Sequence, residues 1–136
     1  MKPIKLIGIG LAIIICQSFL LHDCYAVNWQ HEIRWKNKMI FYIDTESVQL
    51  NQKINQIKFW YKAVSPYGYD TCLMICNYKE KSYVIIKINS YDNNGKLTES
   101  SSFEPSKAEK QYISGGVMEI ILNEALSSQG IRSTKE

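Results

Sequence analysis

The sequence has little of what most catalytic and metal sites depend on. Its 136 residues include two His and four Cys, and one of these His and two of these Cys lie in the first 26 residues. It lacks a P-loop, a dinucleotide-binding glycine pattern, a Gly-x-Ser-x-Gly elbow and a His-Glu-x-x-His pair. We therefore expect a protein that is not an enzyme and that uses no cofactor and no metal ion.

A strong net charge is also missing. The formal net charge is +3, and removing Lys2, Lys5 and Asp23 with the first 26 residues lowers it to +2. Binding to nucleic acid depends on many contacts between basic side chains and phosphates. This charge balance predicts no nucleic-acid partner and favours a protein partner.

The one long uncharged run lies at the start of the chain. It extends from Leu6 to Leu21, follows Lys2 and Lys5, and precedes Cys24-Tyr25-Ala26, which has small residues where an export peptidase inspects the chain. This layout is typical of a secretory signal peptide over residues 1–26. An uncleaved anchor is less favoured, because a spanning helix needs about 20 apolar residues. Lipidation of Cys16 or Cys24 is a third alternative that also ranks below cleavage after Ala26. We expect export to the periplasm or cell surface, with membrane contact only through an uncleaved signal.

Six later segments have the alternation or the flanking turns of β-strands, and the turns between them are too short for crossover helices. They are Val27 to Trp35, Met39 to Ile43, Ile57 to Ala63, Tyr69 to Cys76, Ser82 to Tyr91 and Leu97 to Phe103. In the first segment, alternation places Trp29, His31 and Ile33 on one face. Asn94-Gly95 predicts a type I′ hairpin turn. The pattern predicts an antiparallel meander.

One amphipathic helix follows Ser114-Gly115-Gly116. Its apolar stripe consists of Val117, Met118, Ile120, Ile121, Leu122, Ala125 and Leu126. Glu119 stands where a side chain can reach back to free backbone amides at the helix start. The sequence thus predicts an α+β domain over residues 27–127, with the helix packed on the sheet, and a disordered tail over 128–136.

The order of motifs resembles one known family. The block Phe41 to Val48, followed by Ile57-Lys58-Phe59-Trp60, resembles the opening of the bacterial surface-adhesin protein E-like family, with Trp29 before it and Ile113 to Leu126 after it. The resemblance implies a six-stranded sheet with a packed helix, exported to the periplasm or surface, and in some members adhesion to host proteins has been proposed. Ser114-Gly115-Gly116 departs from the family's Pro-Gly-Ser, and Cys76 matches one cysteine of a pair whose second member is absent.

Asp44-Thr45-Glu46-Ser47 places two carboxylates close together. We interpret Asp44 and Ser47 as turn residues that bond to the backbone, because the turn explains these residue types without a partner elsewhere. Acid or base chemistry is the less favoured interpretation.

Cys72 and Cys76 are the cysteines left after the first 26 residues. In an unbroken strand their Cα atoms would be about 13 Å apart, and a disulfide tolerates at most about 7 Å. Buried free thiols are favoured over an intrachain bridge, and an intermolecular bridge is a third alternative.

Aromatic and basic residues cluster on the third segment and around the turn that follows it. The candidate protein-binding residues are Lys58, Trp60, Lys62, Tyr67 and Tyr69. Exposed aromatics beside cations are typical of protein-binding surfaces. The alternatives are that a second copy covers this face, or that Trp60 packs under the helix.

Together these features predict a non-catalytic interaction protein of the bacterial envelope with adhesin-like binding of proteins. A periplasmic structural or assembly factor that binds the cell's own proteins is the main alternative, and a haem or other small-ligand binder is less favoured. The sequence leaves the oligomeric state open, a dimer included.

Overall fold

The computed structural model describes residues 27–131, which form an antiparallel sheet with one helix packed on it. The strands are β1 (Trp29–Trp35), β2 (Met39–Asp44), β3 (Gln49–Asn51), β4 (Gln56–Ser65), β5 (Gly68–Asn77), β6 (Ser82–Asp92), β7 (Leu97–Ser102) and β8 (Gln111–Tyr112), and helix α1 is Val117–Ser128. The sheet order β1-β2-β4-β5-β6-β7 is a six-strand meander. The predicted α+β fold is confirmed. The predicted signal peptide lies outside the described residues.

Two short strands were not predicted. β3 pairs with β4 beyond the end of β2, and β8 pairs with β6 beyond the end of β7. The side chain of Ser47 fills the gap between β2 and β3, because its Oγ accepts a hydrogen bond from the Trp60 amide at 2.9 Å. Strands of two or three residues are too short for an alternation pattern to reveal them.

β1 contains a bulge that changes which side chains share a face. Gln30 pairs with Ile43 and Ile33 with Phe41, so β1 has one more residue than β2 in this interval. His31 lies inside the bulge with φ of +57°. Ile33 is consequently buried in the core, while Trp29 lies on the opposite face of the sheet. The expectation that Trp29 and Ile33 share a face is wrong, since alternation assumes an unbroken strand.

The β6–β7 hairpin forms where Asn94-Gly95 predicted it, but with a different turn. Gly95 has φ of +78° and Asn94 is not among the residues with positive φ, which a type I′ turn requires. The Asp92 carboxylate instead accepts hydrogen bonds from the amides of Asn94 and Lys96, each at 2.9 Å. This side-chain bonding selects a turn with one left-handed residue, Gly95.

At Gly68, the first residue of β5, the backbone of β6 approaches β5 closely. Gly68 has φ of +148°, and a Cβ at this position would collide with the carbonyl oxygen of Tyr91. Only glycine allows β6 to approach this closely.

The hydrophobic core lies between one face of the sheet and α1. The sheet contributes Ile33, Phe41, Ile43, Ile57, Phe59, Tyr61, Cys72, Met74 and Cys76, and the helix contributes Ile121, Leu122, Ala125 and Leu126. Of the predicted stripe, Ile120 is 37% exposed and belongs to the solvent side. Full burial of an Ile or Leu side chain is worth about 1.5–3 kcal/mol, so this stripe holds α1 on the sheet.

The ends of α1 differ from the predicted ones. Gly116 has φ of +77° at the helix start, and the Glu119 carboxylate lies 3.5 Å from Lys81 Nζ. The helix extends to Ser128, and Ile131 packs against the core. The predicted tail over residues 128–136 therefore begins too early, because Ser128 belongs to α1 and Ile131 packs against the core, while residues 132–136 lie outside the described part.

Cys72 and Cys76 are buried free cysteines in the uninterrupted strand β5, which confirms the favoured prediction. The bulge opposite Leu73 and Met74 lies in β6, so β5 keeps the extended spacing that separates the two thiols. Burial raises the pKa of Cys72 to about 11 and that of Cys76 to about 12. Both are protonated at neutral pH.

Candidate functional site

A concave groove lies on the face of the sheet opposite α1. Its volume is about 640 Å³, within the range of about 300–1,000 Å³ that is usual for ligand sites. Four of the five candidate residues line it: Lys58, Trp60, Lys62 and Tyr69. Trp29 and Tyr91 complete its aromatic lining.

Strict alternation in β4 sends these side chains into the groove. Ile57, Phe59 and Tyr61 are buried in the core on one face of the strand. The intervening residues Lys58, Trp60 and Lys62 must therefore project from the other face. The alternative that Trp60 packs under the helix is wrong.

Strand register arranges the groove in rows that cross the sheet. Lys62 pairs with Thr71, Thr71 with Asn89 and Asn89 with Ser100, which makes a polar row. One neighbouring row consists of Val64, Tyr69, Tyr91 and Leu97, and the other of Trp60, Leu73, Lys87 and Ser102. The polar row thus lies between rows that supply apolar and aromatic surface.

Aromatic rings hold the lysine at the centre of the groove. Lys62 Nζ lies 4.4 Å from the centroid of the Tyr69 ring and 5.8 Å from that of the Trp29 ring. The Tyr69 and Tyr91 rings are stacked, with centroids 4.7 Å apart and planes 16° from parallel. Cation–π contacts of this kind stabilise by about 0.5–1 kcal/mol at exposed sites. They orient the ammonium without neutralising its charge.

The Asp44 carboxylate belongs to the structure of the groove wall. It is 4% exposed, and its Oδ1 accepts hydrogen bonds from the amides of Asn28 at 3.0 Å and Glu46 at 3.2 Å. The Ser47 hydroxyl donates to the Asp44 carbonyl at 2.8 Å. The interpretation of Asp44 and Ser47 as turn residues is confirmed. Glu46 is exposed at the edge of the groove.

Tyr67 is the candidate residue that the structure separates from the other four. It lies in the β4–β5 turn, its side chain is 86% exposed, and it does not line the groove.

Two groove residues depend on bulges and were missed by sequence reasoning. Trp29 reaches the groove because of the β1 bulge. The extra residue of β6 places Tyr91, rather than Ser90, opposite Tyr69. No local sequence signal marks either bulge.

Within residues 27–131 no three His, Cys, Asp or Glu side chains form a group that could hold a metal ion. Over the same range the chain has no helix long and apolar enough to cross a membrane. Comparison with protein-family models, with curated proteins and with solved structures finds no match. The likeness to the surface-adhesin protein E-like family rests on the sequence motifs alone.

Proposed function

We propose that this chain is an exported, non-catalytic interaction protein of the bacterial envelope that binds a protein through the groove. The observation that carries the proposal is the cluster of Trp29, Trp60, Tyr69 and Tyr91 around Lys62 on the face of the sheet that α1 leaves uncovered. Trp and Tyr are enriched among the residues that dominate protein-binding energies.

The fold supports this proposal because the groove residues are not needed to fill the core. The core is complete on the helix side of the sheet, where Phe59, Met74 and Ile121 are fully buried. The groove side keeps large rings partly exposed instead of packing them against another element of residues 27–131. Partly exposed aromatic side chains that are not needed for the core are typical of a binding surface.

Binding is tested by a pull-down from envelope and host-cell extracts. The bait is the protein that cells produce and export when they express the full-length chain. We expect Trp60→Ser to reduce recovery of the partner at least tenfold, because loss of a central Trp removes about 2 kcal/mol or more. Tyr112→Ser is the matched control, since Tyr112 is 66% exposed in β8 and does not line the groove. Circular dichroism checks that both variants fold. Equal losses in the two variants would contradict the proposal.

Export is a separate part of the proposal and has its own measurement. Cleavage after Ala26 predicts that mass spectrometry of the exported protein finds Val27 as its first residue. An intact Met1 on the mature protein would contradict cleavage. Protease added to intact cells then separates the locations, because a surface adhesin is digested and a periplasmic factor is protected.

A further inference from the structure

The groove carries positive charge that the described chain does not neutralise. Lys58 and Lys62 line it, and neither forms an ion pair, whereas five other acid–base pairs are present among residues 27–131. Lys87 lies on the same face, next to Leu73 in the cross-strand row. Three ammonium groups therefore face this side of the sheet.

The acidic residues that line the groove, Asp44 and Glu46, offset little of the positive charge of its lysines. The Asp44 carboxylate is buried and accepts two backbone amides, so its charge is already engaged in the turn. Glu46 is exposed at the edge and pairs with none of these lysines. Because Lys62 is held between the Tyr69 and Trp29 rings, it loses less side-chain entropy when an anion binds.

From this charge pattern we infer that the groove binds an acidic segment of a partner protein, with a carboxylate on Lys62 and an apolar side chain of the same segment against Trp60. The inference rests on the proposed function and specifies the chemistry of the partner. A carboxylate on a fixed ammonium forms a charge-assisted hydrogen bond, which is stronger than a neutral one. An apolar side chain of the segment can also pack against the adjacent rings. A small inorganic anion has no apolar surface for such a contact.

The polar row that crosses the groove suits an extended peptide. Asn89, Thr71 and Lys62 line the groove, and the register extends this row beyond the groove to Ser100 at one end and Tyr42 at the other, so that it crosses five strands. Four strand spacings span about 19 Å, which is the length of about six residues in an extended chain. Acidic and apolar side chains that alternate along such a segment would meet the polar row and its aromatic neighbours.

The test uses two blocked hexapeptides, one alternating phenylalanine with glutamate and the other alternating phenylalanine with glutamine. Each is titrated into protein purified after expression of the full-length chain, and amide chemical shifts report affinity and location. We expect the glutamate peptide to bind about five- to tenfold more tightly, as a charge-assisted contact requires, with shifts at Lys62 and Thr71. Added salt should reduce the difference.

Lys62→Gln should reduce the affinity for the glutamate peptide to that for the glutamine peptide. Lys53→Gln is the matched control, because Lys53 is exposed in the turn before β4 and should leave both affinities unchanged. Equal binding of the two peptides in the groove, or unchanged binding by Lys62→Gln, would overturn the acidic-segment inference and leave the proposed function standing.

Two further results also decide against the inference. Inorganic phosphate that displaces the peptide at equal concentration would indicate a small-anion site. Failure of both peptides to bind would overturn the inference that the groove binds an acidic segment, even if the Trp60→Ser variant recovers less of the protein partner in the pull-down. If Trp60→Ser also keeps that partner, the proposed function fails as well.

Discussion

Asp44 illustrates how a single carboxylate beside a groove is committed to structure. Its Oδ1 accepts the amides of Asn28 and Glu46, which ties the chain before β1 to the turn after β2. From the sequence alone, Asp44 could take part in acid or base chemistry or could stabilise a turn by bonding to the backbone. The two short contacts and the 4% exposure decide for the turn.

Asp44→Ala is therefore expected to destabilise the fold. Two backbone N–H groups lose their acceptor, and we expect the free energy of unfolding to fall by about 1–3 kcal/mol in urea titrations. Glu46→Ala, which truncates an exposed neighbour, should change it by less than about 0.5 kcal/mol. Unchanged stability of Asp44→Ala together with lost partner binding would show that this carboxylate serves the partner instead.

The two thiols make stability depend on alkaline pH. Burial raises the pKa of Cys72 to about 11 and that of Cys76 to about 12 from an ordinary value of 9.0. The unfolded chain therefore releases protons that the native chain keeps, and the free energy of unfolding should fall as pH rises from about 9 to about 12. Urea titrations across this range test the decline. It should be shallower in a Cys72→Ala, Cys76→Ala double variant, and an identical slope would contradict the assignment.

At the scale of elements, patterns succeed where strands are regular and fail where they are not. β4 and β5 alternate without interruption, so the core positions Phe59 and Cys72 and the groove position Trp60 follow from the sequence. The bulges in β1 and β6 reverse or shift the pattern, so the positions of Trp29 and Tyr91 do not. Pairing across the sheet decides where an extra residue is accommodated, and a local pattern carries no information about it.

The start of α1 gives an element-scale prediction that opposes residue propensity. Serine is ordinarily a better N-cap than glycine, but Gly116 has φ of +77° and ψ of −162°, a region that is essentially restricted to glycine. We expect Gly116→Ser to lower the free energy of unfolding by about 1–3 kcal/mol in urea. Ser114→Ala, two residues earlier, should lie within about 0.5 kcal/mol of the original protein. A stabilising Gly116→Ser would contradict this helix start.

At the scale of the whole molecule, the two faces of the sheet carry different side chains. One face buries the core under α1, and the other presents the groove with its rings and with lysines that form no ion pair within residues 27–131. The alternation of the strands predicts that two such faces exist. The number of aromatic residues predicts that some of them lie on the face away from the core. The cross-strand rows, which bring Lys62 between Trp29 and Tyr69, follow only from the register of the assembled sheet.

Binding of a protein partner is proposed for the groove rather than for other surfaces of residues 27–131. Photo-crosslinking in intact cells tests it most directly, with benzoylphenylalanine placed at position 60 in one strain and at position 112 in another. We expect a discrete protein adduct from position 60 and none from position 112. An adduct from position 112 alone, or the same adducts from both positions, would contradict it.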